Sequence, residues 1–184
     1  SADDSTSEIT DVDDMDFEGE VDRSNELMII DSGLNEGDKQ ESIAQAEKEG
    51  MDFILVTDDM DMATLAEQIA QREGLDAIHI LSHGNVGQFD LAGQQINSDS
   101  ITNYTSLTES IKNSLSESGD LLLYGCNVGA SNGQEFIELV ADITGADVAG
   151  SDDLTGNDEL GGDWDLEVEV GEIEADKIIV DGFD

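Results

Sequence analysis

The chain has no proline, a single cysteine and only six Lys+Arg in 184 residues. Without proline there is no rigid linker of the kind that marks a second domain. A lone cysteine cannot build an internal disulfide framework, so the fold has to stand on a hydrophobic core. No apolar run is long enough for a transmembrane helix. The start, in polar and acidic sequence, has no signal-peptide pattern, and the chain reads as an internal piece of something longer. Two histidines and one cysteine offer no ligand cluster at tight spacing, which argues against zinc. No repeat at solenoid spacing occurs.

What is abundant is negative charge. The 46 Asp+Glu leave a formal net charge of −40 and a sequence pI near 4.1. Such a surface repels phosphate backbones and anionic headgroups, so nucleic acid and membrane insertion are excluded as expectations. It favours solubility in salt and weak collection of divalent cations. The expected setting is secreted or surface-exposed.

At this length one domain is the default. Residues 1–24 are dominated by Asp, Glu, Ser and Thr, a composition that cannot bury enough surface to offset the entropy of ordering, and they read as a disordered acidic linker. Residues 25–184 read as one folded domain. In it ELMIIDSG (26–33), DFILVTDD (52–59), AIHILSH (77–83), DLLLYGC (120–126) and ADVAGSD (146–152) read as strands, several apolar on both faces. Segments with three-to-four-residue apolar spacing, at 36–49, 62–72, 101–116 and 135–144, read as helices. Asp61 and Thr108 stand at expected helix starts, Gly50, Gly74 and Gly145 just past helix ends, and Gly119 before a strand. The alternation predicts an α/β, three-layer α/β/α fold on a mainly parallel sheet.

Two hairpins are expected as insertions. GQFDLAGQQIN (87–97) follows His83 directly, with Ala92-Gly93 as its turn. GGDWDLEVEVGEIEA (161–175) has period-two alternation, and KIIV (177–180) reads as a further strand. Trp164 is expected to pack on the core or close that second hairpin.

The chemistry-bearing residues stand at strand ends. AIHILSHG ends in His83-Gly84 and DLLLYGCN presents Gly125-Cys126. Carboxyl ends of parallel strands are where a crevice opens and loops are free to vary. Hydrolysis at a peptide carbonyl needs a nucleophile, a proton donor for the leaving amine and donors for the oxyanion. Cys126 supplies the sulfur, His83 an imidazole that titrates near neutrality, and the amides of Gly84 and Cys126 the oxyanion donors. Either residue alone reads as structural; together they form a candidate catalytic dyad. His79, inside its strand, reads as a satisfied core histidine, and Tyr124 as a strand residue with its hydroxyl bonded nearby.

A strand ending in Ser82-His83-Gly84, followed by one ending in Gly125-Cys126, resembles the signature of the caspase-like cysteine peptidases, a group including caspases, legumains, gingipains, clostripain and separase. The strings LDAIHILSHG, LLLYGCNVG, TGADVAGSDDLTG and LGGDWDLE are similar, more narrowly, to an uncharacterised caspase-like domain near the N-termini of giant repeat-rich bacterial surface and adhesin-type proteins, over residues 26–175. The resemblance implies a caspase–hemoglobinase fold, Cys126 as nucleophile, His83 as general acid/base, and an acyl-thioenzyme. It implies a polypeptide substrate, the parent chain included, a monomeric domain and no required cofactor. YGCN replaces the caspase Q-A-C-x-G string, so specificity for Asp does not carry over.

In such a fold the loop at 150–156 lies beside the cleft, making Ser151, Asp152 and Asp153 substrate-pocket candidates; an Asp there would select a basic side chain. Calcium is a candidate ligand. Asp14-Met15-Asp16-Phe17-Glu18-Gly19 mimics the start of an EF-hand loop, but Asn25 at the twelfth place cannot act as the bidentate carboxylate. The acidic, glycine-rich stretch 152–165 is the better cation candidate. Two other functions fit the same residues: a non-catalytic structural or interaction module of an adhesin-type protein, and a thiol redox switch at Cys126.

Overall fold

The computed structural model describes residues 23–125, 128–130, 133–151, 166–175 and 177–178. Four strands form the middle of a six-stranded sheet, each with a run of buried residues. These are β1 (Glu26–Asp31), β3 (Leu75–Leu81), β7 (Leu115–Leu123) and β8 (Asp147–Gly150), with β2 (Asp52–Val56) at one edge and β9 (Val168–Val170) at the other. The order is β9-β8-β7-β3-β1-β2. All neighbours are parallel except β9, which runs antiparallel to β8. Parallel strands need long crossovers, and the helical segments supply them. They are α1 (Glu36–Lys48), α2 (Met62–Ala70), α3 (Thr105–Ser114), preceded by a 3-10 turn at Ile101–Asn103, and α4 (Gly133–Thr144).

Because successive side chains of a strand point to opposite faces, each central strand feeds two cores. Leu27, Ile29, Ile78, Ile80, Leu121 and Leu123 pack under α2, α3 and α4 with Leu65, Ile69, Ile111 and Phe136. Met28, Ile30, Ala77, Leu81 and Leu122 face the other way, against Ala46 of α1 and against Leu166 and Ile178 near the C-terminus. The fold is thus three-layered α/β/α, as the alternation of elements predicts.

A second, small antiparallel sheet stands between β3 and α3: β4 (Gly84–Asn85), β5 (Gln88–Leu91) and β6 (Gln94–Asn97). It is the insertion expected after His83, turning at Ala92 (φ 53°) and Gly93 (φ 75°). Two positive φ values in a two-residue turn match the twist of the strands it joins.

Several boundaries differ from expectation. The apolar spacing at 101–116 is split between the 3-10 turn and α3, so Thr108 sits inside α3 and bonds back to Thr105 O at 3.1 Å rather than starting it, whereas Asp61 does cap α2. β7 begins at Leu115 and takes in Gly119, because its first residue pairs with Leu75 and the ladder resumes only at Asp120↔Ala77, across a bulge. The described part of the 161–175 stretch pairs with β8 instead of with itself, and no strand is assigned at Lys177 or Ile178. The edge of β8 is the nearest unpaired ladder. Most of residues 1–24 fall outside the described residues, but Arg23, at 5% exposure, is part of the fold.

Arg23 belongs to a buried polar chain on the α1 face. Ile178 N–H donates to the Tyr124 hydroxyl at 2.9 Å, and that hydroxyl stands 2.9 Å from His79 Nδ1. His79 Nε2 is 2.7 Å from Glu26 Oε1, which also accepts from the Arg23 guanidinium at 3.1 Å. Arg23 pairs in addition with Glu49 and donates to Lys177 O. A carboxylate only accepts, so His79 carries its proton on Nε2 and accepts a hydrogen bond from the Tyr124 hydroxyl at Nδ1. His79 is the satisfied core histidine that its position predicts.

Burial, opposed by the Glu26 hydrogen bond, lowers the pKa of His79. Burial alone would raise Glu26, but the hydrogen bond from His79 and the Arg23 guanidinium outweigh it and hold the carboxyl low. Both shifts act in one direction. The unfolded chain takes up protons that the native state refuses, so the stability contributed by His79 is present above a pH of about 6.5 and is lost as pH falls toward its folded pKa, by up to about 1.4 kcal/mol per pH unit. Glutamine can make both hydrogen bonds without titrating. Urea denaturation between pH 7 and 5.5 is therefore expected to show a steeper acid loss for the wild type than for His79→Gln; parallel slopes would remove His79 as the titrating group.

Candidate functional site

Strand order decides where a crevice forms. From β1 the chain passes outward to β2 and then returns to the other side of β1 as β3. The loops after β1 and β3 leave in different directions, so a gap opens between their carboxyl ends. His83, two residues beyond β3, is exposed at that gap. Its Nε2 lies 2.9 Å from the carbonyl oxygen of Gly33, in the loop after β1. A carbonyl cannot donate, so in the neutral ring Nε2 carries the hydrogen and Nδ1 keeps its lone pair for proton transfer.

Gly33 is held in turn by Asp31, the last residue of β1. Asp31 is 2% exposed; its Oδ2 accepts from Gly33 N–H at 2.9 Å and its Oδ1 from Ala92 N–H at 2.8 Å. One carboxylate thereby ties the His83 support to the turn of the small sheet. Burial pushes Asp31 up; the two amides oppose it, the nearby charges of Asp58 and Asp90 add to it, and the net shift is upward. Ala92 is the one non-glycine residue with positive φ among the described residues, and its bond to Asp31 helps hold that conformation. Asp90 N–H donates to His83 O at 3.0 Å, so the small sheet also grips the histidine backbone.

Asp31 and Gly33 are not among the site residues expected from the sequence. The signal was present: Asp-Ser-Gly at a strand end is the pattern of an aspartate that bonds the amide two residues on.

The other wall is glycine-built. A Cβ on Gly84 would lie 2.8 Å from the Cα and carbonyl carbon of Gly125, and one on Gly125 would lie 2.9 Å from Gly84 Cα. The backbones touch, with Val128 sealing the contact from one side. Val128 O accepts from Gly87 N–H at 2.9 Å, and Gly129 N–H donates to Ser151 O at 2.8 Å. The carboxyl ends of β3, β7 and β8 are thus laced together through residues 128–129.

Of the residues expected to form the site, His83, Gly84 and Ser151 stand on this edge of the sheet. Ser151 is fully buried at the end of β8. Cys126, Asp152 and Asp153 lie outside the described residues, as do Trp164, the 14–19 string and the 152–165 stretch. His79 has both ring nitrogens engaged and lies deep in the sheet, out of reach of this chemistry.

The domain matches the family model described as Domain of unknown function (DUF4347) over residues 27–182. The chain belongs to that family. The match spans every strand of the DUF4347 fold but the first residue of β1, and takes in both loops of the crevice. No curated protein matches the chain. Among the described residues no helix is long and apolar enough to cross a membrane.

The close approach of Gly84 and Gly125 leaves no room for a methyl group. Gly84→Ala in the DUF4347 domain is expected to destabilise it by about 1–3 kcal/mol, the usual range for overpacking, and to displace the loop after His83. Urea denaturation measures the first effect. A variant as stable as wild type would show that the two backbones are not held in contact.

Proposed function

We propose that this DUF4347 domain is a caspase-like cysteine endopeptidase domain that processes a large secreted bacterial surface protein, its own parent chain included, with Cys126 as nucleophile and His83 as general acid/base. The observation that carries the reading is the contact between Gly84 and Gly125, the chain neighbours of His83 and Cys126. It brings the two strand ends that lead into the dyad side by side. The Gly33 carbonyl adds to this by leaving His83 Nδ1 as the free basic nitrogen.

In the proposed reaction the Cys126 thiolate attacks the scissile carbonyl carbon and forms the S–C bond. Protonated His83 gives its proton to the leaving nitrogen as the C–N bond breaks. Water then adds to the thioester carbonyl, its proton passing to His83, and the C–S bond breaks to release the acid and the thiolate. Gly84 and Cys126 amides would stabilise the oxyanion in both steps. Ser151, Asp152 and Asp153 belong to the proposed pocket wall. The charge of −40 fits an exterior, salt-rich setting.

Mass spectrometry of the parent polypeptide tests the reading. Processing is expected in the wild type and abolished in both Cys126→Ala and His83→Ala. Cys126 is also expected to react with iodoacetamide at least about tenfold faster than the denatured-chain thiol, a gain that His83→Ala removes. A slow thiol together with an intact parent chain in every variant would overturn the reading in favour of a non-catalytic module; oxidation of Cys126 indifferent to His83 would favour the redox switch.

A further inference from the structure

At the opposite edge of the sheet from His83 three carboxylates meet. Asp120 of β7 and Asp147, the first residue of β8, are partners in the parallel register. The chain after β9 returns over them, placing Glu174 alongside. Oxygen atoms of Asp120, Asp147 and Glu174 all lie within 4.8 Å of one another. Carboxylate oxygens within that distance can share one hard cation, and three of them on separate strands and a loop suit calcium's flexible oxygen coordination better than the near-ideal octahedron and retained waters that magnesium demands.

Like charges this close repel, and the ion pairs of Arg23 with Glu26 and Glu49, of Lys39 with Glu36 and of Arg72 with Asp52 include none of the three. A separate observation points to a missing ligand. Asp120 has no exposed surface, yet only Oδ2 is satisfied, by the amides of Glu174 and Ala175 at 2.8 Å each. Its Oδ1 is buried with no donor among the described residues. A buried carboxylate oxygen left unpaired costs about 1–3 kcal/mol or more, so native structures pair such atoms with a donor, a water or an ion.

The backbone is shaped to bring these groups together. Gly171 has φ 87°, and a Cβ there would sit 2.0 Å from Asp147 Oδ1, so only glycine lets the turn after β9 pass over that carboxylate. The main chain follows with the two amides that grip Asp120.

We propose that Asp120, Asp147 and Glu174 bind one hard divalent cation, calcium in preference to magnesium, which fastens the segment after β9 to the amino-terminal edge of the sheet. Three carboxylate oxygens supply half of a calcium sphere, and the exposed position of Glu174 leaves the rest to water. The site uses no residue of the two acidic stretches singled out in the sequence, at 14–19 and 152–165, and does not depend on the proposed peptidase chemistry.

Calcium titration of the full chain by calorimetry, with thermal unfolding alongside, tests the proposal. Asp147 is half-buried and Glu174 exposed, so Asp147→Asn and Glu174→Gln are expected to fold. Above the weak, non-saturating uptake of so acidic a surface, the wild type is expected to show one saturable site. At calcium about 100-fold above its Kd the folding equilibrium constant should rise about 100-fold. Each variant is expected to bind at least about tenfold more weakly. Hydrogen exchange of peptides covering 166–178 should slow with calcium in the wild type alone. Saturable binding unchanged in both variants, no saturable site, or an equal response to magnesium would overturn the assignment. So would a gain in stability of Asp147→Asn that calcium does not affect, because a proton shared between Asp120 and Glu174 then replaces the ion.

Discussion

The parallel pairing of β3 between β1 and β7 is the constraint on which the rest of the structure depends. It removes three apolar strands from water on both faces, and so requires a helical layer on each side. It also sets β1 and β3 at the point where the chain changes direction across the sheet, which opens the crevice beside His83. At the far side of β3 it brings Gly84 against Gly125. One ladder therefore fixes the core, the position of the crevice and the approach of the two loops that the proposed chemistry would use.

The polar interior is unevenly spread. On the face covered by α2, α3 and α4 the core is apolar. On the other face one helix and the C-terminal segment give thinner cover, and there the chain places His79, Tyr124, Glu26 and Arg23 in a line of directed hydrogen bonds ending on Ile178 and Lys177. Buried polar groups of this kind specify one arrangement, since any other leaves a donor or acceptor unpaired. Asp120 acts on the same segment through the amides of Glu174 and Ala175. The C-terminal segment is thus registered against the sheet by polar contacts at both Asp120 and Tyr124, where apolar packing alone would tolerate a shift.

Much of the architecture was legible in the residues. Apolar runs at 26–33 and 120–126 announced buried strands, and the spacing at 36–49 and 135–144 announced helices between strands, because a doubly covered strand and an amphipathic helix leave different periods. The hairpin after His83 was legible from Ala92-Gly93. The start of β7 was not: Leu115 and Gly119 join the strand through a bulge opposite β3, a long-range pairing that no local period encodes. Nor was the pairing of β9 with β8, since alternation gives the faces of a strand and not its neighbour.

For the site, sequence pointed to His83 and Gly84, and the fold sets both at the crevice. It did not point to Asp31, whose carboxylate joins the Gly33 amide to that of Ala92, 61 positions along the chain from Asp31. By itself the sequence determined the class of fold, the acidic surface and the glycines and histidine at strand ends, because these follow from composition and local period. Only the tertiary structure decided which backbone carbonyl orients His83, which strand ends touch, and that Asp120, Asp147 and Glu174 converge. Each of those is a contact between residues far apart in the chain, fixed by strand order and register.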